Sequence, residues 1–221
     1  MREDFLDALA SAAPTPGGGG AAAYGGALAA ALASMVANLT LGKEAYASVA
    51  DEVAVQLEEL ERLRAELVEL VDADARAFEP IGQAYRMPKA TAAEQQARHE
   101  AIQAALADAC RVPIDCMRAC MRVIDVAGYL AEHGNRTALT DAAAAAVMAK
   151  AALQAASLNV YVNAAMMDDH DQATVFLDHA DFLSQSGVAL ADEVYNAIAH
   201  GLGAPKVDES VRLCPREGRG A

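Results

Sequence analysis

A chain of 221 residues is long enough for one domain with a substantial core. Hydrophobic residues make up 54% and aromatics only 5%, and alanine supplies much of the apolar share, which favours helix over sheet. A formal net charge of −14 without any basic cluster excludes a nucleic-acid partner, because neutralising phosphates requires grouped Lys and Arg.

Met1–Asp7 mixes charges and has no apolar run, so no signal peptide is expected and the chain reads as cytoplasmic. A first helix is expected over Glu3–Ala12, stopped by Pro14-Thr15-Pro16 and the glycines Gly17–Gly20. From Gly17 to Gly42 no charged residue occurs, a length that could cross a bilayer. Its content is mainly Ala and Gly, so the better reading is a central helix, about Gly20–Leu41, packed on all sides, with no membrane partner.

A long helix follows, from Ser48–Asp51 to about Tyr85, with Val53, Leu57, Leu60, Leu63, Leu67, Leu70 and Val71 at helical spacing. Pro88 breaks it, and Thr91-Ala92-Ala93-Glu94 has the capping-box spacing that opens another. Pro113 is expected to kink or restart that helix, and Gly134-Asn135 to stop it with a left-handed C-cap. Thr140 reads as the cap of a helix running to about Asp168, and Asp169-His170-Asp171 as a turn before a last helix ending at Gly201. No strand alternation is present. The expectation is an all-α antiparallel bundle of long helices, a single domain over residues 1–203 with a flexible tail, 204–221.

Cys110, Cys116 and Cys120 fall in one stretch, with Cys214 in the tail. This is neither a secreted disulfide framework nor a metal knuckle, and no metal is expected. Asp168-Asp169-His170-Asp171 suits helix capping better than a cation.

Asp74 is the sharpest anomaly. At 100° per residue, Leu60, Leu63, Leu67, Leu70, Val71 and Phe78 form one stripe, and Asp74 falls inside it while Asp72 points away. A carboxyl there is desolvated, which raises its pKa toward the range useful for proton transfer. The alternative is that the stripe has left the core by this turn, or that Asp74 caps a neighbouring helix. A second polar line joins Asp141, Asn159 and Asn163 on one face of a later helix, suited either to a heterocycle's amide-like edge or to interhelical hydrogen bonds. The glycines at the start of the uncharged helix, Gly18 and Gly19 among them, can present backbone amides to an anion or allow close packing. Lys43, Arg86, Lys89 and Arg136 sit at turns, either as solvated charges or as partners for helix ends.

Several of these pieces, taken in order, resemble the cyclodeaminase domain of formiminotransferase-cyclodeaminase. They are Pro14-Thr15-Pro16-Gly17-Gly18-Gly19, Leu39-Thr40-Leu41-Gly42-Lys43, Val71-Asp72-Ala73-Asp74-Ala75-Arg76-Ala77-Phe78, Arg86-Met87-Pro88-Lys89, Val112-Pro113, Gly134-Asn135, Thr140-Asp141 and Asn159-Val160-Tyr161-Val162-Asn163, spread over residues 4–200. The family usually follows its glycine run with a small hydroxyl residue, where this chain has Gly20. The resemblance implies a helical homodimer acting on a one-carbon tetrahydrofolate, as methenyl-tetrahydrofolate cyclohydrolase or formimino-tetrahydrofolate cyclodeaminase. It implies no cofactor beyond that substrate. It also implies an acidic catalytic residue in the Asp-Ala-Asp motif, carried here to Asp74 because of the stripe. Gly18, Gly19, Lys43, Arg86, Lys89, Asn135, Asp141, Asn159 and Asn163 are the candidate substrate contacts. With no transferase segment in the sequence, the cyclohydrolase is slightly preferred. A rival of another class is a non-catalytic helical dimer that binds folate or a protein.

Overall fold

The structure, a computed structural model, describes residues 3–204. Six helices account for most of them: α1 (Glu3–Ala10), α2 (Gly18–Thr40), α3 (Ala50–Arg86), α4 (Ala92–His133), α5 (Leu139–Ala164) and α6 (His170–Gly201). Short 3-10 turns at Glu44–Val49 and Arg136–Ala138 lead into α3 and α5. No strand occurs among the described residues. The expected tail lies outside them, apart from Ala204.

Consecutive long helices run antiparallel. α2 packs on α3, α4 and α5, and α4 also packs on α3, α5 and α6. The lack of charge in α2 follows from this central position, where Ala29, Ala30, Ala33, Val36 and Ala37 are fully buried. α2 and α5 are long and apolar enough to cross a membrane by length and composition, yet half or more of each such stretch is buried inside the bundle. Leu60, Leu63 and Leu67 of α3 fill the other side of this core, the expected stripe.

Several boundaries differ from the sequence expectation, each for a physical reason. Gly18–Gly20 form the first turn of α2 rather than preceding it, with Gly17 as N-cap. The Thr91–Glu94 capping box is formed in both directions. Pro113 neither breaks nor restarts α4, which runs through it for 42 residues. A proline at 113 withholds the amide that would pair with the Ala109 carbonyl. Asn163 of α5 supplies the missing donor, its Nδ2 lying 2.8 Å from that oxygen.

α4 does stop at Gly134, but with φ −81° and ψ −175°, not in the left-handed region. The glycine is required because an added Cβ would lie 2.4 Å from the Leu130 carbonyl oxygen. α5 starts without a side-chain cap from Thr140, since Asn135 caps the preceding turn by accepting from the Thr137 amide. α1 ends at Ala10 and α5 at Ala164, earlier than expected. The Asp169 carboxylate caps α6 through the Gln172 amide. Cys110, Cys116 and Cys120 are buried free thiols, and burial pushes Cys110 up to about 11. Cys214 lies outside the described residues.

Candidate active site at the start of α2

Asp74 stands where the α3 stripe passes the first turn of α2. Its carboxyl faces the helix N-terminus, and Oδ2 accepts a hydrogen bond from the Gly20 amide at 2.9 Å. Both readings of Asp74 thus meet in one contact: the residue caps a neighbouring helix and is half-buried on the stripe. Asp72 is exposed. Burial raises the Asp74 pKa above the ordinary carboxylate value, and the Gly20 amide opposes part of that rise. The α2 dipole acts in the same direction as the amide. The outcome is a carboxyl held in place and inclined to take a proton.

Gly19 explains the glycine run. A Cβ there would fall 2.0 Å from Asp74 Oδ1, so any side chain expels the carboxyl. Gly20 would meet only ordinary contacts, and its contribution is its amide. It is the third residue of the helix rather than its N-cap, so the hydroxyl typical of the family at this place would not occupy the capping position. The first intrahelical bond is donated by Ala21 to Gly17, which leaves the Gly18 and Gly19 amides outside the helix ladder. Gly18 is exposed. Gly19 is buried. Amides outside the ladder and one carboxyl of raised pKa thus share the first turn of α2, an arrangement suited to moving a proton while holding a developing oxygen anion.

Asn159 stands at the same height along the bundle. Gly25 of α2 faces Ala152 of α5, an added Cβ lying 3.7 Å from that of Ala152. Seven residues back on α2 and seven forward on the antiparallel α5 lead to Gly18 and Asn159. Asn159 is half-buried, and its Nδ2 is engaged with the Ala155 carbonyl. Asn163 lies one turn further and is engaged with Ala109.

The remaining candidates are dispersed. Asn135 is buried at the opposite end of α2, its Nδ2 on the Leu39 carbonyl and its Oδ1 accepting from the Thr137 amide and hydroxyl. Leu39 and Gly20 are nineteen residues apart on α2, so roughly 30 Å separates Asn135 from Asp74. Exposed Lys43 and half-buried Asp141 share that far end, and Lys89 lines a separate groove with Gln95, Arg98 and His99. Among the described residues no three His, Cys, Asp or Glu side chains gather in metal-ligand fashion.

Two grooves border α3 beside Asp74 and share Thr15 and Ala75. One, about 670 Å³, is lined by Phe5, Tyr24, Val68, Val71 and Asp72 among others. The other, about 320 Å³, takes in Arg76, Phe78, Gly82 and Arg86. A larger cavity of about 770 Å³ lies between α4 and α6, at the far end with Arg136 and Leu139. Its size alone does not make it the site, since Asp74 and the glycine turn lie at the other end of α2. The sequence reading missed Thr15, Arg76 and the Gly20 amide. Only the juxtaposition of α3 with the loop before α2 reveals them.

Comparison with known proteins shows the family. Residues 1–181 match the family model described as formiminotransferase-cyclodeaminase. The methenyltetrahydrofolate cyclohydrolase of Methylorubrum extorquens is 46% identical over 196 residues, covering 89% of this chain and 94% of that protein. The formimidoyltransferase-cyclodeaminase of Gallus gallus is 33% identical over 159 residues, 72% of this chain but only 29% of that longer protein. The solved structure of formiminotetrahydrofolate cyclodeaminase from Thermotoga maritima superposes with a TM-score of 0.81 at 30% identity, covering 91% of this chain and 97% of that one. The family model over residues 1–181, the near full-length relative and the shared bundle agree: this chain belongs to the formiminotransferase-cyclodeaminase family.

Proposed function

We propose that the chain is an enzyme of one-carbon folate chemistry, a methenyl-tetrahydrofolate cyclohydrolase that opens the N5–N10 bridge with water. The observation that carries the mechanism is the Asp74 carboxyl, half-buried on α3 and fixed by the Gly20 amide. The near full-length similarity to the Methylorubrum cyclohydrolase supports the choice of reaction.

In this mechanism Asp74 takes one proton from water as its oxygen bonds to the cationic methenyl carbon. The resulting tetrahedral carbon carries a hydroxyl between N5 and N10. Asp74 then gives its proton to N5 as the C–N5 bond breaks. The hydroxyl proton passes to solvent and the carbonyl of the 10-formyl product forms. A carboxyl of raised pKa serves both halves, accepting early and donating late. The Gly18 and Gly19 amides steady oxygen as charge builds on it. Asn159, level with them on α5, is the group we assign to the pterin edge, its Oδ1 accepting there while Nδ2 stays on the Ala155 carbonyl.

The test is spectroscopic. Purified protein should accelerate loss of the near-UV band of 5,10-methenyl-tetrahydrofolate. Release of ammonia from 5-formimino-tetrahydrofolate would mark the cyclodeaminase instead, the reading favoured by the Thermotoga likeness. Binding without turnover of either compound would support the non-catalytic rival.

A homodimer in the cytoplasm belongs to the same proposal. Leu28, Met35 and Leu39 stand exposed along α2, Val147, Leu158 and Val162 stand exposed along α5, and the two helices pack side by side. Such an uncharged apolar face suits a second copy of the chain. Sedimentation at the monomer mass would remove this part.

A further inference from the structure

We infer that Arg76 and Arg86, with Phe78 and the gap left by Gly82, form the subsite for the aryl-glutamate end of the substrate. This rests on the folate reading above but concerns a different part of the ligand.

The protein has few cations to spare, and most of the described arginines are spent. Arg62, Arg64, Arg111, Arg118 and Arg122 each pair with a carboxylate on their own helix. Arg76 and Arg86 have no such partner, and both line the 320 Å³ groove beside Asp74. Glu79 lines the same groove and accepts from Gln83 Nε2. Two unspent guanidiniums thus face one carboxylate there and leave a net positive groove in a chain of net charge −14, suited to a multiply anionic ligand.

Position supports the same ligand. Helical side chains lean toward the N-terminus, and Arg86 does so here. Its Nη1 is 3.8 Å from where a Cβ of Gly82 would stand, while the Phe78 ring is 3.4 Å from that point on the other side. Gly82 is therefore a slot between an aromatic ring and a guanidinium. It lies eight residues beyond Asp74, roughly 12 Å along the helix. From the bridging carbon of a tetrahydrofolate, a para-substituted ring and an amide put the glutamate carboxylates at a similar reach, about 10 Å by standard bond lengths. Pro80 lacks the amide that would pair with the Arg76 carbonyl. The Arg76 carbonyl thereby lacks its helical donor beside this groove. Phe78 offers the ring face, and Arg76 and Arg86 the carboxylate forks.

The test compares ligands with and without glutamate. On 5,10-methenyl-tetrahydrofolate, Arg76→Gln and Arg86→Gln should each raise KM about tenfold, with kcat within a factor of about two. On the methenyl derivative of tetrahydropteroate, which lacks the glutamate, both variants should match the wild type. Equal losses on the two substrates, or no loss on the first, would overturn the assignment. Calorimetry with p-aminobenzoylglutamate makes the decision independent of turnover. Wild type should bind it and the double variant Arg76→Gln/Arg86→Gln should not, whereas binding unchanged by the double substitution refutes the subsite. If wild type binds this fragment yet turns over neither folate, the reaction assignment fails and the subsite stands.

Discussion

The two ends of α2 use similar chemistry for opposite purposes. At its C-terminal end the polar groups bond mainly to one another. Thr40 donates to Val36 and accepts from the Asn135 amide, the Asn135 side chain holds Leu39 and Thr137, and the Tyr46 hydroxyl accepts from the Arg136 amide. At its N-terminal end Asp74 takes a single bond from Gly20, while the Gly18 and Gly19 amides stand outside the helix ladder. A group whose bonding capacity is filled within the protein stabilises the fold. A group left partly unfilled, yet held in place, is available for chemistry.

The largest expected effect breaks the open end. Asp74→Asn should lower kcat on the methenyl substrate by about 10²–10⁴-fold, the usual share of a general acid/base, and retained activity would dismiss Asp74. The same variant should melt no lower than wild type near neutral pH. The sign follows from burial: the folded-state pKa lies above the ordinary value, so the ionised carboxyl costs stability. That cost is full above the folded pKa and disappears as pH falls below the unfolded one. The melting difference should therefore shrink in acid, as calorimetry across pH would record.

Next comes Gly19→Ala, which removes no catalytic group but displaces the Asp74 carboxyl. Turnover should fall about 100-fold, the cost of an ångström-scale misplacement. Wild-type kinetics would show that the contact between Gly19 and Asp74 is not what sets the geometry. The smallest effect on activity belongs to the closed end. Asn135→Ala should cost about 1–3 kcal/mol of stability by denaturant titration. Its kcat should be unchanged, since the site lies roughly 30 Å away.

What was legible in the sequence depended on range. The α3 stripe, the Asp74 anomaly and the Thr91–Glu94 box need only neighbours within a few turns, and each was readable. The reason for Gly134 was not, because its extended backbone and its contact with Leu130 leave no local mark beyond the glycine itself. Asn135 looked like a contact for substrate because its partner Thr40 is 95 residues away. Arg76 looked like any exposed helical arginine until the loop at Thr15 closed a groove around it.

Pro113 and Asn163 lie on different helices and are joined through one carbonyl, that of Ala109. Their substitution is consequently conditional on order. Replacing the proline first restores the amide within α4 and makes the asparagine dispensable, whereas losing the asparagine first strands a carbonyl in a packed interface. Descendants of this chain can shed the pair by one path far more easily than by the other.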